Sequence, residues 1–277
     1  MYRFTTGLMV VLMGVTLLGF WPSFFSKLGD ASFTHLFHGF TSTLWIVILG
    51  AQAWLINARK PAIHKVLGIT GLLLAPFMVA GFALINLDSA IRTAQGASMF
   101  AQLFSAPLMI FDLIFLPLTL GLIYLGLKHR KQSRHHAAFM VLTCFALIGP
   151  SLSRLLVNFV PGFQVTGPET MSNFGHALWF SMLLTTLCIA VIAVKVAVER
   201  KVWLSALGIY VVSFMLYLSL GRTEIWKAFV VSLSTLHYGA VFWVVLALSF
   251  AVIGLGWQQG KTMAKPGVTA TYSLKQS

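Results

Sequence analysis

Phe33-Thr34-His35-Leu36-Phe37-His38-Gly39 opens a run that stays apolar through Trp45 and Gln52, then breaks into Arg59-Lys60-Pro61-Ala62-Ile63-His64-Lys65-Val66-Leu67-Gly68. The run is long enough to cross a bilayer as a helix. It enters on two histidines, carries a glutamine near its far end, and leaves through a short basic loop that opens the next helix on a third histidine. At 100° per residue, His38 and Gln52 fall within about 40° of one another, and Ser42 and Trp45 share that side. His35 stands one turn before His38. The stripe runs about 21 Å along the helix. Facing lipid it would be costly, so it belongs on the bundle interior. There it is either interhelical glue, with Ser, Gln and His bonding neighbouring helices, or the wall of a cofactor site, cavity or proton path.

The rest of the chain agrees with a membrane solvent. Of its 277 residues, 58% are hydrophobic and 9% charged, far from the composition of a soluble domain. The net charge of +13 is confined to short loops. It therefore reads as the positive-inside bias and not as a nucleic-acid surface. Cys144 and Cys188 lie inside apolar runs and make no disulfide framework. The first apolar run ends in Phe20-Trp21-Pro22-Ser23 without a small-x-small cleavage pattern, so it reads as an uncleaved first helix.

Eight apolar runs have spanning length, at about residues 6–25, 34–57, 65–86, 104–127, 137–160, 174–198, 202–220 and 238–257. Loops alternate in charge across them. Fourteen Lys and Arg fall on one side and four on the other, which puts both termini in the cytoplasm. The expected fold is an all-α polytopic bundle of about eight spans. It forms one transmembrane domain over 1–257, with a disordered cytoplasmic tail over 258–277. Residues 223–236 have Trp226, Phe229, Val230 and Leu233 at helical spacing opposite Glu224, Lys227 and Ser234. They read either as a helix in the outer interface or as an extension of the last span.

Two ionisable residues fall inside spans at matching depth. Asp112 lies about 10 Å below the outer end of the fourth run, and Arg154 about 9 Å below that of the fifth. Antiparallel neighbours pack together, so an Asp112–Arg154 pair is expected. It would be either a registry-fixing ion pair or part of a carrier site for a small solute or a proton. The fifth run gathers His136, Thr143, Pro150, Arg154 and Asn158 on one face. Pro107 and Pro117 flank Asp112.

The histidines divide by side. His35, His38, His176 and His237 sit at outer helix ends; His64, His129, His135 and His136 sit at inner ends. A b-type haem needs two neutral imidazoles from facing helices at one depth. The candidate pairs are His38 with His176, and His64 with His136. A divalent metal would instead use His35 and His38 on one face, with Asp112 adding an oxygen. Interface histidines need no ligand to explain them, and His129 and His135 belong with the basic loop. No Cys-x-x-Cys-His, His-Glu-x-x-His, P-loop or Gly-x-Ser-x-Gly motif occurs, which leaves covalent haem, zinc proteolysis, nucleotide hydrolysis and nucleophile-elbow chemistry without a basis. No catalytic residue can be named.

Phe20-Trp21-Pro22-Ser23-Phe24-Phe25, then His35-x-x-His38, Trp45, Gln52 and His64-Lys65-x-Leu67-Gly68, resemble a family of bacterial inner-membrane proteins without an assigned activity. Asp112, Arg134-His135-His136-Ala137-Ala138-Phe139-Met140 and Arg154-Leu155 are similar to that family's second block, where a His-Lys-Arg-Leu-Met is usual and His136 or His135 takes the histidine's place. The resemblance covers about residues 15–160 and implies a multi-pass protein of the bacterial cytoplasmic membrane. The functional expectation is a His-ligated haem or metal redox-type membrane protein, whose polar site draws on His38, His64, Asp112, His136, Arg154 and Gln52. The alternatives are a carrier using Asp112 and Arg154, or a structural or assembly subunit of a membrane complex. The partners are the lipid bilayer, a small-molecule ligand and, on the last reading, a membrane complex.

Overall fold

The computed structural model describes residues 4–262. Nine α-helices account for most of them, and no strand occurs among the described residues. They are α1 (Thr5–Phe20), α2 (Phe33–Asn57), α3 (Pro61–Gln95), α4 (Ala106–Lys128), α5 (Ser133–Phe159), α6 (Ser172–Lys195), α7 (Arg200–Leu218), α8 (Glu224–Leu233) and α9 (Tyr238–Thr262). Helices are the expected solution for such apolar runs, because a helix satisfies its own backbone where lipid offers no hydrogen bonds. Seven of these elements are long and apolar enough to cross a membrane, which makes this a multi-pass membrane protein. The remaining apolar run, the first, yields α1, which has 16 residues.

Several boundaries depart from expectation. α3 covers 35 residues, well past the expected 65–86. Pro61 fits its first turn, where a missing N–H costs nothing. At the other end Arg92 Nε meets Asp88 at 3.2 Å, one turn back. Gly96, at φ 58°, then caps the helix in the left-handed region that glycine adopts without strain. A π turn over Ala101–Ser105 precedes α4. Residues 223–236 are not an extension of the last span: they contain the separate ten-residue α8, capped by Thr223, whose Oγ1 accepts from the Trp226 N–H. α8 docks through the Trp226 indole, which donates to the Ala106 carbonyl at 2.7 Å. The last helix runs to Thr262, five residues into the stretch expected to be a disordered tail. Arg130 and Lys131 hold this end by donating to the carbonyls of Trp257 and Lys261. Residues 263–277, the remainder of that expected tail, lie outside the described residues.

α3 packs against α2, α4, α8 and α9, while α5 packs against α1, α2, α4, α6 and α7. These two helices carry most of the bundle's contacts. The polar face of α2 turns inward, with Ser42, Trp45 and Gln52 buried. The Trp45 indole donates to Thr143 Oγ1 on α5 at 3.0 Å. Thr16 and Ser151 share a 3.0 Å hydrogen bond between α1 and α5, and Asn158 donates to the Gly19 carbonyl at 2.9 Å. Without a strong hydrophobic drive between helices in lipid, close backbone approach and such bonds hold the bundle together. Gly19 shows the first: a Cβ there would collide with the Ser151 carbonyl.

Candidate functional site

The basic loops around residues 59–65 and 128–134 mark one end of the bundle, here the basic end; the other is the far end. At the basic end, α1, α2, α3, α4, α5 and α9 line a cavity of about 470 Å³. Two histidines line it from different helices, His64 in the first turn of α3 and His136 in the first turn of α5. His136 Nδ1 lies 2.8 Å from the Gly126 carbonyl, and His64 Nδ1 lies 3.4 Å from the Gln52 carbonyl. A carbonyl can only accept, so both rings carry the proton on Nδ1, and in the neutral ring Nε2 keeps a lone pair. Neither Nε2 has a hydrogen-bond partner among the described residues. A ring proton held by a backbone carbonyl fixes tautomer and orientation, the usual support of a ligating histidine.

The remaining wall is mostly apolar, with a few polar groups. Gln52 is 8% exposed, and its Oε1 has no partner among the described residues, so an unpaired buried amide oxygen stands in the cavity wall. Gly68 and Gly71 also line it, each beneath an α2 side chain. A Cβ at Gly68 would sit 3.0 Å from Gln52 Nε2. At the mouth, Lys65 and Arg130 supply positive charge. Arg130 Nη1 donates to the Leu127 carbonyl at 3.1 Å and to the Trp257 carbonyl at 2.6 Å. Its guanidinium lies 4.4 Å from the centre of the Trp257 ring. Burial pulls the Arg130 pKa down, but a guanidinium stays protonated in proteins.

The far half holds a second polar group. The His38 ring stacks on Phe82 of α3 at 5.7 Å, with Nδ1 3.5 Å from Ser42 Oγ. Arg154 lies over the Phe20 ring at 4.7 Å and donates to the Pro150 carbonyl at 3.2 Å. Its charge reaches Asp112, His38 and His35. The expected contact pair is nevertheless not formed. Among the described residues the ion pairs within 4 Å are Arg92–Asp88 and Arg134–Glu199. The Arg154 guanidinium is drawn onto its own helix and the Phe20 ring, leaving Asp112 near it without a hydrogen bond or ion pair among the described residues.

The expected metal set is also not assembled. Among the described residues no three His, Cys, Asp or Glu side chains lie close enough to hold a metal ion, so His35, His38 and Asp112 do not converge. His35 Nδ1 is engaged by Ser32 Oγ at 2.8 Å, and the positive Arg154 reaches both His38 and Asp112. Nor does the structure bring His38 to His176. His176 lines a separate far-end bowl of about 710 Å³ bounded by α4, α6, α7 and α8, whereas His38 packs on α3. Of the candidate histidine pairs, His64 and His136 share a cavity. Arg130 and Trp257 at its mouth escaped sequence reasoning: Arg130 looked like one charge of a basic loop, and Trp257 like the end of an apolar run.

No known protein family matches the chain, and neither does a curated protein or a solved structure.

Proposed function

We propose that this is an eight-span redox-type protein of the bacterial inner membrane, with both termini cytoplasmic, that holds a b-type haem between His64 and His136. One observation carries the reading: two imidazoles from separate helices line one cavity, each with Nδ1 on a backbone carbonyl and Nε2 free. Neutral imidazoles held in this way are the donors that would hold a haem iron. The apolar wall suits a porphyrin face. Lys65 and Arg130 at the mouth suit the propionates. Bound there, a haem would supply a one-electron couple in a low-dielectric site. The basic end is the cytoplasmic end on the positive-inside bias.

The test is an absorption spectrum of the detergent-purified protein, supplied with haem and recorded oxidised and reduced. A Soret band that His64→Ala or His136→Ala abolishes, and that His38→Ala and His176→Ala leave intact, is the expected result. Wild-type protein that takes up no haem, or histidine variants that keep it in full, would overturn the reading. The carrier alternative rests on a different observation, the unpartnered Asp112 beside Arg154. It requires that neutralising either residue abolish solute or proton movement in proteoliposomes.

A further inference from the structure

The far-end bowl is a second site with its own chemistry. Its floor and walls come from the π turn at Ala101–Ser105, the first turn of α4, residues 168–179, the end of α7 and the start of α8. A π turn carries one residue more per hydrogen-bonded loop than an α-helix, and such bulges recur at functional sites. Four charged side chains line the bowl: Glu169 on the α6 side, and Arg222, Glu224 and Lys227 on the α7–α8 side. None of them forms an ion pair within 4 Å among the described residues. Two cations and two anions thus share one concavity while their mutual attraction goes unused. The Arg222 guanidinium instead lies over the Tyr217 ring at 5.7 Å.

The formal charge of this lining is zero with His176 neutral: the two signs alternate along its α7–α8 side, and Glu169 adds a carboxylate from the α6 side. An anionic ligand would meet two carboxylates, and a cationic one would meet Arg222 and Lys227. A neutral ligand with separated charges satisfies both. The rim adds a further constraint. Met99, Leu103 and Trp179 are exposed at 43%, 48% and 45%, an apolar border of the kind that meets acyl chains, with a tryptophan of the type found at membrane interfaces.

We propose that the bowl binds a phosphate–ammonium zwitterion, the phosphoethanolamine group carried by a membrane lipid or by a soluble headgroup. Arg222 and Lys227 take the phosphate oxygens, and Glu169 and Glu224 take the ammonium. Guanidinium suits phosphate through its planar fork of donors, and charge-assisted bonds at both charged groups of the ligand are about twice as strong as neutral ones.

The experiment uses full-length protein in neutral detergent, with phosphatidylethanolamine, phosphatidylglycerol and glycerophosphoethanolamine as probes, read by native mass spectrometry and thermal unfolding. Wild type is expected to prefer phosphatidylethanolamine over phosphatidylglycerol. The double variant Arg222→Gln/Lys227→Gln should bind it about tenfold more weakly, the equivalent of 1.4 kcal/mol. Glu169→Gln/Glu224→Gln should reverse the preference towards phosphatidylglycerol, which loss of fold would not produce. Competition by glycerophosphoethanolamine would assign the recognition to the headgroup alone; binding of the lipid without that competition would assign part of it to the apolar rim. Equal binding of both lipids by wild type, or an unchanged preference in the Glu variants, would overturn the proposal. None of these readouts depends on haem.

Discussion

Replacing Gly68 by alanine should make the protein more stable and its cofactor weaker. In a helix interior alanine is favoured over glycine by about 1 kcal/mol. A Cβ at this position would meet Gln52 Nε2 at 3.0 Å, the far end of a flexible side chain, so the backbone need not move. Gly121 in α4 is the matched control, with nothing within 4 Å of its Cβ site. Both Gly68→Ala and Gly121→Ala should therefore raise the haem-free melting temperature by about 2–4 °C. Only Gly68→Ala should reduce the further rise on adding haem, because the new methyl and the displaced Gln52 amide occupy the cavity wall. Gly68→Leu extends the argument. An engineered cavity left by deleting a leucine side chain is about 150 Å³, so a leucine at 68 would take roughly a third of the 470 Å³ available and should prevent haem uptake. Thermal unfolding with and without haem, beside Soret absorbance, reads all three variants. A Gly68→Leu protein with full haem content and an unaltered spectrum would refute the placement of the cofactor.

Three further outcomes follow from the packing. Trp45→Phe removes the 3.0 Å bond to Thr143, while Thr143 keeps its own bond to the Met140 carbonyl; the expected loss is about 1 kcal/mol, read as a drop in melting temperature. Gly19→Ala drives a methyl into the Ser151 carbonyl and pushes α1 off α5. It should cost about 1–3 kcal/mol, and loss of the Thr16–Ser151 bond should appear as faster hydrogen exchange in α1. Asp112→Asn breaks no hydrogen bond or ion pair, so the melting temperature should hold or rise. A drop worth more than about 2 kcal/mol would show that Asp112 and Arg154 make contact after all, since breaking a buried pair costs about 3–5 kcal/mol.

The helical membrane class was legible because apolar length and loop charge are properties of composition along the chain, and they survive errors of several residues at each boundary. The inward face of α2 was legible for a related reason: Ser42, Trp45 and Gln52 fall on one side at 100° per residue whatever the neighbours are. What the sequence hid was distance across the bundle. His38, His64, His136 and His176 are equivalent as residues at helix ends. Only the packing of α3 against α2 and of α5 against α4 puts His64 and His136 at one cavity and leaves His38 and His176 apart. Depth matching placed Asp112 and Arg154 level with each other, and they are close. It carried no information about rotamer, and the Phe20 ring and the Pro150 carbonyl decide where the guanidinium goes. The length of α3 was underestimated because Asp88 and Arg92 look like the polar end of a span, whereas at i and i+4 they support another helical turn.

On the eight-span reading, the 16 residues of α1 have a consequence for the lipid around them. At 1.5 Å per residue the helix is about 24 Å long, some 6 Å short of a typical hydrocarbon core. Such hydrophobic mismatch is relieved by local thinning of the bilayer, and Trp21, 56% exposed just past the helix end, would mark the depressed boundary. Arg154 lies over Phe20, the last residue of α1, and so sits level with that boundary. On this flank the headgroup layer would dip beside α1, the shortest of the eight spans, and bring water within reach of the Arg154 guanidinium.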